Sequence, residues 1–259
     1  MLIENKRESI LYVAATFSIT WLCWGLLALL GIPAKQNVVS VILYLLGGFS
    51  TLIVALILPL FAKKEERSAH YRRFFNFRIS KKWYIVPIVC ILFVVYLPYC
   101  FMLLFYGKTA IGLNLKPFYL ILPLFVSMII GGGVEEFGWR GILVHNLRKM
   151  NPLLVSIVVG LIWACWHIPL FFIKGVSQYH ADFLPFLITV IAYSLITTIL
   201  YLNSGSVIPC VIAHALLNAF SELGFWYAGN QVAVYTDSII RLVVAFVLFM
   251  ILSKEKAVV

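Results

Sequence analysis

Apolar residues run along this chain in long unbroken blocks, not in alternating or heptad patterns. A helix that crosses a bilayer needs about 20 mostly apolar residues. Eight blocks meet or approach that length: 10–32, 38–62, 83–106, 118–147, 152–173, 183–202, 207–226 and 238–252, the last being the shortest. Blocks this long without period-two alternation exclude a transmembrane barrel, and backbone groups in lipid must then be satisfied within each helix. The predicted fold is all-α: a polytopic membrane helical bundle of about eight transmembrane helices. It forms one integral membrane domain over residues 1–259, with no internal repeat, low-complexity tract or soluble domain. The first block follows Lys6 and Arg7. It is too long for a signal-peptide core and is read as a span, in preference to a leader cleaved after Ala34.

Composition agrees with the pattern. The 259 residues are 63% hydrophobic and 12% charged, against roughly half apolar and a quarter charged in soluble domains. The net charge of +10 would ordinarily raise the question of nucleic acid, but eight of the 20 basic residues fall between Lys63 and Lys82. Such a cluster between spans marks a cytoplasmic face. With that segment inside, fourteen basic residues lie on the cytoplasmic side and five outside (Lys35, Lys108, Lys116, Lys174 and Arg241). Both termini are then cytoplasmic, and nucleic acid is not an expected partner. The same segment carries Tyr71, Phe74, Phe75 and Phe77. A surface-lying amphipathic helix and a solvated loop are both open for it. The five cysteines lie in apolar runs without a Cys-x-x-Cys pair, so neither a disulfide framework nor a zinc knuckle is implied.

Against this background the informative residues are the polar ones inside the blocks. Charged side chains at membrane depth cost several kcal/mol and are usually functional or paired. Glu135, Glu136, Arg140, His167, His214, Asn218 and Glu222 occupy the fourth, fifth and seventh blocks. Glu136 and Arg140 are four apart, share a helix face and can pair. Glu135 points about 100° away and has no partner in its own helix. His214, Asn218 and Glu222 recur at intervals of four and form one stripe, and Trp163 precedes His167 by one turn. Counted from the cytoplasmic ends of their spans, Glu135, His167, His214 and Asn218 lie about 20, 22, 11 and 17 Å deep. Three helices thus contribute polar groups to one layer. The preceding Gly131-Gly132-Gly133 is read as a close-packing stretch, with a helix break as the lesser reading.

A carboxylate, two imidazoles and a carboxamide in a partly dry site can deprotonate a water and stabilise a developing oxyanion. The spacing alone leaves a proton relay equally open. The residues also carry a resemblance. Glu135-Glu136-x-x-x-Arg140, then Trp163-x-x-x-His167, then His214-x-x-x-Asn218 resembles the three-motif signature of the CPBP family. These are the CAAX-processing and bacteriocin-processing intramembrane endopeptidases, also called Abi or Ras-converting-enzyme-like proteins. The resemblance covers about residues 118–226, the expected catalytic core, and departs from the pattern in having Trp163 where Phe or Tyr is more usual.

The resemblance implies a glutamate-dependent intramembrane protease. Glu135 and His167 would activate the attacking water, His214 and Asn218 would form the oxyanion hole, and Glu136 and Arg140 would support the site. The expected substrate is a leader, signal or C-terminal peptide at the membrane. Its identity, its prenylation and the oligomeric state are not legible. A multi-pass protein of a bacterial cell membrane is expected, with the lipid bilayer as its other partner. No cofactor is expected. Zinc held by Glu135, His167 and His214 is the minority alternative, since two histidines and a glutamate are a common catalytic set. Cys210, one turn before His214, is a rival nucleophile, outweighed by the tendency of buried cysteine to act as an apolar filler. Glu222 is read as structural or water-facing. The alternative from another class is a non-enzymatic membrane protein, either a proton or ion carrier or an immunity-type binding partner.

Overall fold

Seven helical segments are long and apolar enough to cross a bilayer: Lys6–Leu29, Val38–Phe61, Lys82–Gly107, Phe118–Leu147, Pro152–Phe172, Phe183–Ser204 and Gln231–Leu252. An eighth, Ile208–Glu222, is apolar but only 15 residues long. The computed structural model describes residues 5–110, 115–224 and 231–254. Among them there is no strand, and nine helices of ten or more residues carry the chain. They are α1 (Lys6–Leu29), α2 (Val38–Ile57), α3 (Lys64–Phe74), α4 (Lys82–Ala110), α5 (Ile121–Ile130), α6 (Pro152–Trp166), α7 (Phe183–Ser204), α8 (Ile208–Glu222) and α9 (Gln231–Leu252). The protein is a multi-pass helical membrane bundle.

Local chemistry fixes where these helices begin and end. Asn37 and Ser40 cap α2 reciprocally, each side chain accepting the other's backbone N–H. Asn151 caps α6 by accepting from the N–H groups of Leu153 and Leu154, with Pro152 at the first helical position. Asp182 caps α7, which ends on Gly205 in the left-handed conformation at φ +66°. α7 is the most enclosed span and packs on α6, α8 and α9. α8 also packs on α4 and α5, while α1 lies along α2. Leu22, Leu29, Val38 and Leu104 stand exposed on the outer helices, where lipid would meet them.

Four features differ from the sequence reading. The fourth block is not one helix. α5 stops at Gly131 and is followed by a tight turn at Gly133–Glu135, one helical turn at Glu136–Gly138 and a wide, π-type turn at Trp139–Val144. The glycine run therefore breaks the helix as well as permitting close approach. The seventh block is shorter than 207–226; its residues 225 and 226 lie outside the described residues. The last span begins at Gln231, well before residue 238, and takes in Asp237 and Arg241. These two form a buried pair at 2.6 Å, and Arg241 also donates to Tyr193 Oη at 3.0 Å. Arg241 is therefore a bundle residue and not an outside loop residue.

The fourth difference concerns the basic segment 63–82, for which a surface-lying helix and a solvated loop were both open: it contains a helix, α3, that packs into the bundle. One face of α3 is buried. Phe74 meets Phe137 edge-on with centroids 5.6 Å apart, and His70 Nε2 lies 2.6 Å from Glu8 Oε1. Asn146 Nδ2 donates to the other Glu8 oxygen at 2.8 Å. The start of α1, α3 and the end of the broken fourth segment are thus tied at one carboxylate.

Two glycines let this segment approach its neighbours. A Cβ at Gly141 would lie 2.4 Å from the Phe74 ring, and one at Gly138 would lie 1.9 Å from Tyr12 Oη. Gly141→Ala should therefore destabilise the protein by about 1–3 kcal/mol, the usual cost of overpacking. Gly25→Ala, where nothing lies within 4 Å, should stabilise it by about 0.5–1 kcal/mol. Thermal unfolding of both variants in a neutral detergent tests this. Equal stability would mean that α3 does not pack on this segment.

Candidate active site

Glu136 and Arg140 are the centre of the site, and both are fully buried. Arg140 Nη1 lies 3.1 Å from each Glu136 oxygen, and its Nη2 donates to Ser194 Oγ on α7 at 3.3 Å. The guanidinium also sits 4.9 Å over the Trp163 ring, a favourable position for a desolvated cation. On the other side of the carboxylate, His214 Nδ1 lies 2.8 Å from Glu136 Oε1. One carboxylate thus joins the broken fourth segment to α8, and Arg140 joins it to α7. A charge pair of this kind is tolerated in an apolar interior only when its hydrogen-bonding capacity is largely used.

Glu135 faces another way and is 9% exposed. Its Oε2 accepts the indole N–H of Trp163 at 2.9 Å and, more weakly, that of Trp139 at 3.4 Å. The sequence reading left Glu135 without a partner in its own helix. Trp139, one turn later, is that partner, and the stronger one comes from α6. His167 follows α6 directly, where Pro169 ends the regular helix. Its Nδ1 lies 2.9 Å from the Trp163 carbonyl. A carbonyl can only accept, so Nδ1 carries the proton and Nε2 is left with a lone pair. The half-buried ring is edge-on to Trp166 at 4.6 Å and to Phe186 at 5.2 Å. Trp163 therefore serves both halves of the site, its indole holding Glu135 and its carbonyl holding His167.

His214 and Asn218 meet the glycine break. A Cβ on Gly132 would lie 2.2 Å from Asn218 Nδ2 and 2.9 Å from His214 Nε2. Any larger residue would push these two side chains away, so the break and the α8 stripe form one fitted surface. Glu222, the third member of that stripe, does not join it. It is exposed at the end of α8 and lies 3.8 Å from Lys116. Cys210 is also elsewhere, with its thiol directed at the Thr197 carbonyl at 3.1 Å. Glu135 and His167 are both held by Trp163, and His214 is held by Glu136. Among the described residues, no three His, Cys, Asp or Glu side chains stand where they could hold a metal ion.

Residues 117–220, which contain all of these groups, match the model of the type II CAAX prenyl endopeptidase Rce1-like family. The chain is also 26% identical over 242 residues to CAAX prenyl protease 2 of Methanococcus maripaludis, an alignment covering 86% of this chain and 87% of that protein. Residues 117–220 are thus similar to the Rce1-like family in sequence. The match supports a peptidase that acts within the membrane, on a protein or peptide substrate.

Sequence reasoning missed several residues of this site. Trp139 could have been found, because it stands one turn from Glu135. Ser194 could not, because nothing in its own neighbourhood marks a hydroxyl that reaches Arg140. Gly132 was visible only as one of three glycines. The buried ion pair makes a stability prediction. Arg140→Leu should cost about 3–5 kcal/mol, because it strands the Glu136 charge. Adding Glu136→Gln to Arg140→Leu should recover most of that loss. Thermal unfolding of the single and double variants measures the coupling, and purely additive losses would show that the pair contributes nothing.

Proposed function

We propose that the protein is a glutamate-dependent intramembrane endopeptidase in which Glu135 and His167 activate water and His214 and Asn218 hold the oxyanion. One observation carries this reading: Trp163 holds Glu135 through its indole N–H and His167 through its carbonyl, at 2.9 Å each. That arrangement leaves Glu135 Oε1 and His167 Nε2 as the acceptors available to a water molecule. The water oxygen attacks the scissile carbonyl carbon, and its proton passes to this acceptor pair. The same proton then protonates the leaving amine as the C–N bond breaks.

The second half of the reading rests on His214. Its Nδ1 is engaged by Glu136, so Nε2 faces Gly132 beside the Asn218 amide. In this reading Nε2–H of His214 and Nδ2–H of Asn218 are the two donors for the tetrahedral oxyanion.

The substrate class is inferred by similarity. The name of the Methanococcus maripaludis relative points to a prenylated CAAX tail, while the expected bacterial membrane suits leader or signal peptides. Neither the mechanism nor this reading of the substrate requires a cofactor. Proton flux in liposomes without peptide cleavage would instead assign the cluster to ion movement.

Glu135→Gln should reduce cleavage by at least about 1,000-fold, within the range for loss of general-base catalysis. Its unfolding temperature should stay within a few degrees of wild type. Trp163→Phe keeps the ring and removes the indole donor, so it should lower cleavage by a smaller factor. The assay compares membrane peptides from cells carrying wild-type and Glu135→Gln protein, followed by purified protein and a prenylated or unprenylated CAAX peptide. Unimpaired cleavage by purified Glu135→Gln protein would refute the mechanism.

A further inference from the structure

Away from the site, Arg72, Arg73 and Arg78 line one cavity of about 940 Å³, together with Asn76, Phe75 and Phe77. It lies between α3, the stretch that follows it and the Gly205 turn. Its walls are anchored on several sides. Ser206 Oγ donates to the Asn76 carbonyl at 2.8 Å, Tyr84 Oη to the Phe77 carbonyl at 2.7 Å, and Tyr71 Oη to the Leu56 carbonyl at 2.9 Å. Among the described residues, no acidic side chain lines the cavity. Glu65 and Glu66 lie in the first turn of α3, whereas Arg72 and Arg73 lie in its last turn. Arg72 and Arg78 are exposed and have no carboxylate partner among the described residues.

The rim of this cavity is apolar. Phe75 is 53% exposed and Phe77 58%. Guanidinium groups beside exposed phenyl rings suit a ligand that is anionic at one end and apolar at the other. A soluble phosphate or an acidic peptide would satisfy the arginines but leave both rings in water. Outside the cavity, the turn at Leu58–Phe61 packs on α3 and continues a membrane-spanning segment, with Phe61 84% exposed.

We propose that this cavity is a binding site for one anionic phospholipid. Its phosphate lies between Arg72 and Arg78, where guanidinium groups bind phosphate oxygens strongly, and its acyl chains lie along Phe75 and Phe77. The site is separate from Glu135 and His167 and stands whether or not the peptidase mechanism above holds.

The test uses the full chain in a neutral detergent, titrated with a short-chain phosphatidylglycerol and followed by the shift in unfolding temperature. Wild type should be stabilised in a saturable way, whereas phosphatidylcholine of the same chain length should have little effect. Arg72→Gln with Arg78→Gln should weaken the apparent affinity by about thirtyfold, as expected for the loss of two basic residues at a lipid headgroup. Lys63→Gln with Lys64→Gln removes the same charge outside the cavity and should change the affinity by less than about threefold on that argument. Equal weakening by the two double variants would overturn the proposal in favour of diffuse surface charge. An equal shift from inorganic phosphate, or equal binding of phosphatidylcholine to wild type, would also overturn it. The last two arms use the unaltered protein, so they decide the question even if a variant fails to fold.

Discussion

The Glu136–Arg140 pair is the constraint around which the rest of the bundle is arranged. Two full charges with no solvent exposure must be satisfied by protein atoms alone, and the partners come from three directions. His214 arrives on α8, Ser194 on α7 and the Trp163 ring from α6. Each contact fixes a helix rotation, because a wrong rotation would leave a charge unpaired in an apolar interior. The long apolar faces hold the helices together without much directional preference. The pair supplies that preference and sets which faces meet.

The distortions of the fourth segment follow from the same demand. A regular helix over 118–147 would set Glu135 and Glu136 at fixed angles and keep its backbone at a full helix radius from α8. The break at Gly131 and Gly132 removes that distance, so that His214 and Asn218 rest almost on the chain itself. The wide turn at Trp139–Val144 adds a second adjustment just beyond the glutamates, in keeping with the frequent occurrence of π-turns at functional sites. Irregular backbone at membrane depth is tolerated only where protein encloses it. Here α1, α3 and α8 do so, through Tyr12, Phe74 and Val211.

What the sequence disclosed and what it withheld divide along one physical line. Helical segments and the polar groups of three blocks were legible, because apolar run length and fourfold spacing are local properties. Features requiring a second segment were not. Hydropathy averages over Asp237 and Arg241 as if they faced lipid, when each neutralises the other inside the bundle. The segment 63–82 looked like a charged connection because its buried contacts, Glu8 and Phe137, lie far away in sequence. Within the site, the pairing of Glu136 with Arg140 followed from helix geometry, whereas the role of Trp163 as a donor to Glu135 did not. A tryptophan one turn before a histidine is ordinarily just apolar filler.

The two site histidines illustrate how partner chemistry separates groups of the same type. His167 and His214 are both tied down through Nδ1, which leaves Nε2 outside those contacts in each. The partners differ in kind: a backbone carbonyl on Trp163 for His167, and the Glu136 carboxylate for His214. In the proposed mechanism the two rings have opposite duties, taking a proton from water and giving a hydrogen bond to an oxyanion. Glu136 would then act on that chemistry only through His214, by fixing which ring nitrogen faces Gly132 and Asn218.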